Sequence, residues 1–249
     1  MATVSNPVFY AVIIGTEILN GRREDRHFDF LKKELSKRGW RFKASFLIED
    51  DPSLIESIYT TIAEDENGVM FSFGGIGATP DDYTRAVAAK VFGDGKLYEH
   101  PKAKELILKR FGDSAYPHRI NMAKLPKGAE LLHNPINLVP GFYLQKRYFF
   151  VPGFPEMAHP MIIEALNLFY PKAKEKPRYT ICVEASENDL MDLMQQIPKE
   201  VEFSSLPAVR EGRYFDVISI AGEEAKKWIE FFIGEIEKRG YKYKWGEAC

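Results

Sequence analysis

Three short apolar runs, each followed by helical periodicity, constrain the fold of this chain more than any other feature. Residues 9–15 (FYAVIIG), 40–48 (WRFKASFLI) and 68–73 (GVMFSF) are rich in β-branched and aromatic residues and read as strands, the first and third fully buried. After the first, Phe28, Leu31 and Leu35 recur at the spacing of one helix face, ending at Lys37-Arg38-Gly39. After the second, Pro52 stands near the first turn of a helix; after the third, PDDYTRAVAAKVFG reads as a helix with a glycine stop. Strands alternating with helices predict a three-layer α/β/α fold with a mostly parallel sheet covered on both faces.

Farther along, residues 101–112 and roughly 116–125 read as helices. Short strands follow within 128–134, 141–145 and 147–153, the last two joined tightly around Gln145 and Lys146, and a helix covers 154–170. The polar, proline-flanked stretch PKAKEKPR, residues 171–178, reads as a linker. Behind it a β-α-β-β-α pattern fills out a small α+β domain. The expected organisation is therefore a domain over 1–170, a linker over 171–178 and a second domain over 179–249.

A length of 249 residues suits one large domain and one small one, and 45% hydrophobic with 28% charged residues is the make-up of a soluble globule. A net charge of −2 argues against a nucleic-acid surface. Cys182 and Cys249 form no CxxC pair, and neither a disulfide framework nor a zinc site is expected. The apolar run near the start is too short to span a bilayer and lacks a basic flank, so a cytoplasmic location and no membrane contact are expected.

Chemistry concentrates in VMFSFGGIGATPDDYT, residues 69–84. Glycines after a buried strand let the backbone approach a ligand, and a following helix start offers N–H groups to an anion. The run is neither a Walker loop, which needs Gly-Lys-Ser/Thr, nor a dinucleotide fingerprint, since Pro80 stands where the third glycine belongs. Two readings of Asp81 and Asp82 stay open. In the first they are structural: Thr79 is the N-cap, Pro80 the first helical residue and Asp82 the partner in a variant capping box. In the second a divalent cation reconciles the paired carboxylates with a bound phosphate. Asp50 or Asp51 after the second strand and Glu17 after the first would converge on the same sheet edge, although Asp-Asp-Pro-Ser is also a good helix start. VPGFP, residues 151–155, would add a second anion-binding turn through Pro152 and Gly153, or be an ordinary strand–helix turn. None of the five histidines has metal-ligand spacing to another.

GTEILNGRRED, SFGGIGATPDDYTRAVA, MAKLPKGAELLHNPINLVPGF and FFVPGFPEM stand in the order found in CinA-like proteins, part of the MoaB/Mog superfamily of molybdopterin-binding domains. Residues 8 to 170 resemble that family, and the tail resembles its small KH-like domain. The further deamidase domain of CinA proteins has no counterpart among these residues, so amide hydrolysis is not carried over. The resemblance implies a phosphate at Gly74, Gly75 and Gly77, with Thr79, Thr84, Pro152 and Gly153 around the ligand. It implies Asp50 and Asp82 as catalytic residues by position. It also implies metal-dependent pyrophosphate cleavage of ADP-ribose or a similar dinucleotide, with magnesium, manganese or cobalt held by Asp81, Asp82 and Asp50, supported by Glu17 and Asp25. The alternative is a molybdopterin-binding or adenylylating protein of cofactor biosynthesis; a further one is a non-catalytic nucleotide-binding protein. A nucleotide or pterin ligand and a homo-oligomer are the partners implied. The chain departs from the family pattern at Phe73, at Ala78, and at Asp25-Arg26-His27, where CinA-like proteins have Asp-Thr-Asn.

Overall fold

Alternation along β1 (Val8–Ile14) sends Phe9, Ala11 and Ile13 to one side of a sheet and Tyr10, Val12 and Ile14 to the other, all six buried. The computed structural model describes residues 4–173 and 176–248. Two units divide the chain, Met1–Ala173 and Lys174–Cys249. The expected linker at 171–178 falls partly outside the described residues, at 174 and 175.

The first unit continues with α1 (Thr16–Leu19), α2 (His27–Lys37), β2 (Arg41–Ile48), α3 (Pro52–Ala63), β3 (Gly68–Phe73), α4 (Thr84–Phe92), β4 (Leu97–Glu99), α5 (Pro101–Phe111), β5 (Lys124–Pro126), β6 (Glu130–Leu132), β7 (Gly141–Leu144), β8 (Tyr148–Val151) and α6 (Pro155–Phe169). Its main sheet runs β2-β1-β3-β8-β7-β6. Pairings β1–β2, β1–β3 and β3–β8 are parallel, while β7 pairs antiparallel with both β8 and β6. The sheet is therefore mixed. Gln145 (φ 56°) and Lys146 (φ 55°) both adopt the left-handed conformation of a two-residue hairpin, which leaves no length for a helical crossover.

Helices cover both faces. On one, Ile55, Tyr59 and Ile62 of α3, Val87 of α4 and Ile107 of α5 pack on Tyr10, Met70 and Phe150. On the other, Leu31 and Leu35 of α2 with Ala158, Met161 and Ile162 of α6 pack on Phe9, Phe71 and Phe149. A parallel core of this kind brings the C-terminal ends of β1, β3 and β8 to one edge.

Three details differ from expectation. The helix expected from Pro80 begins only at Thr84, for a reason given below. Where a helix is expected near 116–125 there is only a short 3₁₀ segment, Arg119–Ala123, and Tyr116-Pro117 stands between it and an earlier 3₁₀ segment, Gly112–Ala115. A proline there disfavours helix at the residue before it. The short pair β4–β5 was not anticipated, because three-residue strands carry no periodicity.

The second unit comprises β9 (Arg178–Val183), α7 (Glu187–Met194), β10 (Glu202–Arg210), β11 (Arg213–Ala221), α8 (Ala225–Lys238) and β12 (Tyr243–Trp245). Its antiparallel sheet runs β10-β11-β9-β12, and Ile181, Val183, Leu190, Ile218, Ile220, Ile229 and Phe232 form its core. Ser186 and Asp189 close a capping box on α7. β12, absent from the sequence reading, is a three-residue strand fixed by its pairing with β9. Cys182 is disulfide-bonded, which corrects the expectation of no disulfide framework. Among the described residues no helix is long and apolar enough to cross a membrane.

Candidate functional site

The ends of β1, β3 and β8 meet through backbone alone. Gly74, the residue after β3, has φ +99°, and a Cβ there would stand 2.5 Å from the Ile14 carbonyl oxygen at the end of β1. Its N–H donates to the Val151 carbonyl of β8 at 2.9 Å. A Cβ on Gly153, after β8, would lie 3.5 Å from Gly74 Cα. Glycine is needed at Gly74 so that the strand ends can close up, whereas the approach at Gly153 is an ordinary van der Waals contact.

The turn from Gly74 to Thr84 is built around Asp82. Its Oδ1 accepts the Gly77 N–H at 2.9 Å; its Oδ2 accepts the Thr79 N–H at 2.7 Å and the Thr79 hydroxyl at 2.6 Å. Asp82 thus caps the turn rather than a helix, which is why α4 starts two residues after it. The capping-box reading is corrected accordingly: Thr79 is no N-cap and Pro80 no first helical residue. Thr84 is fully buried, and its hydroxyl donates to the Gly74 carbonyl at 2.9 Å while its N–H donates to Gly75 at 3.1 Å. It shapes the turn from behind. Of the three glycine amides expected to hold phosphate, those of Gly74 and Gly77 are engaged internally, whereas the N–H groups of Gly75, Ile76 and Ala78 have no acceptor among the described residues. Asp81 is exposed, and the neighbouring Thr79 side chain lowers the pKa of its carboxyl.

The remaining carboxylates serve different elements. Asp50 Oδ2 accepts the Thr16 N–H at 2.9 Å and the Thr16 hydroxyl at 2.8 Å, tying the end of β2 to the start of α1. Asp51 instead caps α3 through Leu54 N–H at 2.7 Å. Asp50, not Asp51, therefore faces the edge. Glu17 pairs with Arg23 at 3.6 Å. Asp25 accepts the N–H groups of His27 at 2.8 Å and Phe28 at 3.1 Å, capping α2. Among the described residues no three His, Cys, Asp or Glu side chains gather as a metal-binding group. The expected donor set of Asp81, Asp82, Asp50, Glu17 and Asp25 does not come together as such a group.

Several residues at this edge escaped the sequence reading. Arg85 is only 8% exposed; it donates to the Gly77 carbonyl at 2.6 Å and to the Asn121 carbonyl, and its Nε has no partner. Burial lowers its pKa, and the charge of Asp82 opposes that. An arginine on a helix face reads as solvated, so only the packing reveals it. His27, noted as a departure from the family pattern, is buried, stacks on Phe73 at 4.4 Å and donates from Nε2 to the Gly153 carbonyl at 3.3 Å. His159 of α6 lies 5.3 Å from it and stacks on Phe30 at 3.7 Å. Burial lowers the pKa of His27, and burial, aided by the neighbouring His27 and Arg26, lowers that of His159 to about 4.

Residues 10–171 match the family described as "Probable molybdopterin binding domain". A CinA-like protein of Sulfurihydrogenibium is 27% identical over 233 residues, which are 90% of this chain and 57% of that protein. The chain thus spans little more than half of that relative's length. A protein of Pyrococcus furiosus is 27% identical over 94% of this chain and 98% of its own length. The crystal structure of the protein CinA from Thermoplasma acidophilum, titled as of unknown function, superposes with a TM-score of 0.58 and 27% identity over 65% of this chain and 97% of that one.

Proposed function

We propose that this chain, which belongs to the molybdopterin-binding-domain family as a CinA-like member of the MoaB/Mog superfamily, binds a phosphorylated pterin of the molybdopterin class at the edge formed by β1, β3 and β8. The observation that carries this reading is the turn after β3. It offers the N–H groups of Gly75, Ile76 and Ala78 to an anion, inside the segment that matches the family. Backbone donors fixed by Gly74 and by the Asp82 clamp would receive the ligand phosphate without reorganising. Asp50 and Asp82 act in this reading on the protein: one anchors the α1 turn, the other the glycine turn, and together they frame the ligand.

Hydrolysis of ADP-ribose or a similar dinucleotide is not required by this arrangement, because the carboxylates that would hold a cation are separately engaged. The test is calorimetric titration of the purified chain with molybdopterin, run beside an assay for AMP release from ADP-ribose with magnesium, manganese or cobalt. Saturable pterin binding without AMP release is the expected result. AMP release lost in an Asp82→Asn variant would restore the pyrophosphatase reading, and absence of pterin binding would overturn the present one.

A further inference from the structure

Arg23 and Phe154 meet across the end of β3. Phe154 follows Gly153 at the start of α6, and the residue is 55% exposed although it is large and apolar. The Arg23 guanidinium carbon stands 5.0 Å from the ring centroid. Arg23 is itself fixed to the loop after β1: its N–H donates to the Glu17 carbonyl at 3.1 Å and its guanidinium pairs with the Glu17 carboxylate at 3.6 Å. In the sheet β3 lies between β1 and β8, so this contact joins the two flanking loops beside the glycine turn.

The ring's position is held from behind. The Gly153 carbonyl accepts from His27, and Gly153 lies against Gly74. An exposed aromatic residue directly after Gly153, which packs against the first glycine of the turn, with a cation on one face of its ring, suits a planar heterocycle carrying a phosphate. A heterocycle stacked on the ring would leave its phosphate to the turn's N–H groups.

Resting on the proposed ligand site, we infer that Phe154, oriented by Arg23, is the stacking platform for the ligand's flat heteroaromatic ring and sets its specificity for ring-bearing phosphates. Pterins and adenine share that chemistry, and the test separates them.

Titrate wild type, Phe154→Ala and Phe154→Tyr with neopterin monophosphate, AMP and ribose 5-phosphate, and record each variant's melting temperature. Phe154→Ala is expected to melt like wild type, to bind the ring-bearing ligands roughly ten-fold more weakly and to treat ribose 5-phosphate as wild type does, with Phe154→Tyr restoring affinity. Unchanged binding of a ring-bearing ligand by Phe154→Ala, or an equal loss for ribose 5-phosphate, would overturn the inference while leaving the ligand site in place. If wild type binds AMP alone, the pterin reading fails and the AMP series judges Phe154. If wild type binds neither ring-bearing ligand, the site reading fails and the inference with it.

Discussion

Asp82 and Gly77 hold each other in place: the Asp82 Oδ1 accepts the Gly77 N–H at 2.9 Å, and a Cβ on Gly77 would come within 2.6 Å of Oδ2. The carboxylate occupies the concave side of a turn that looks, in sequence, like a seat for an external anion. Asp82→Ala leaves the Gly77 and Thr79 N–H groups without their acceptor and is expected to cost about 1–3 kcal/mol. Gly77→Ala destabilises by crowding the same oxygen. In the double variant the two losses are expected to sum to less than their separate values, because one defect relieves the other. Urea denaturation of the four proteins checks this; strict additivity would mean the two residues do not act as a unit.

Adjacent aspartates have separate duties. Asp50 joins Thr16 of α1, which continues into Glu17 and its partner Arg23, whereas Asp51 only caps α3. Asp51→Ala is therefore expected to lower the melting temperature and leave ligand affinity unchanged. Asp50→Ala is expected to weaken ligand binding several-fold by releasing the α1 turn, with a comparable or smaller effect on melting. Calorimetric titration with thermal denaturation of both variants separates them, and equal effects on affinity would refute the assignment.

How far the sequence could take this follows from the range of each interaction. The buried strands β1 and β3 were legible because every residue is apolar or small and the run ends at glycine. The location of the edge was legible too, since a parallel sheet collects its loops at one end. What Asp82 does was not. A carboxylate three residues after a threonine satisfies the spacing of a helix cap, and only the fold shows it turned onto Gly77 instead. The expected metal group failed for a related reason: Asp25 and Asp82 find backbone N–H groups within a few residues and Asp50 finds that of Thr16 on the neighbouring strand end, which a sequence cannot distinguish from ligand oxygens held free. Arg85 and His27 were hidden because their partners are backbone carbonyls far along the chain, at Asn121 and Gly153.

Arg85 carries a buried charge for the sake of the turn. Its bonds run to the carbonyls of Gly77, Asn121 and, at 3.4 Å, Lys124, linking the glycine turn to the 3₁₀ segment before β5 and to the start of β5. Arg85→Met keeps much of the volume and removes the cation. The three carbonyls lose this donor, and removal of the unpartnered Nε offsets part of that loss, so the net cost is expected to be about 1–3 kcal/mol. Ligand affinity should fall as well, because Gly77 is no longer held from both sides. Denaturation and titration of the variant provide the check; full affinity with reduced stability would confine Arg85 to a structural role.

The two buried histidines predict a specific acid response. His159 has a folded pKa of about 4, against an ordinary value of 6.5, and His27 is lowered in the same direction by burial. The unfolded chain therefore takes up protons as pH falls below 6.5, while folded His159 refuses its proton until about pH 4. Stability is at its full value above 6.5, declines between 6.5 and about 4, and levels off with respect to His159 below that. Asp65 acts in another window. Burial alone would raise its pKa, but hydrogen bonds from Lys43 and Tyr10 bring it down to about 2, so its contribution is lost only below its ordinary value of 3.8. The charges near His159 are His27, Arg26, Glu156 and Asp25, and its ring lies on Phe30. His159→Phe keeps an aromatic ring on Phe30 and removes an Nε2 that has no partner. The variant's urea midpoint should fall less than the wild type's between pH 7 and pH 5. Parallel declines would show that the acid loss comes from other groups.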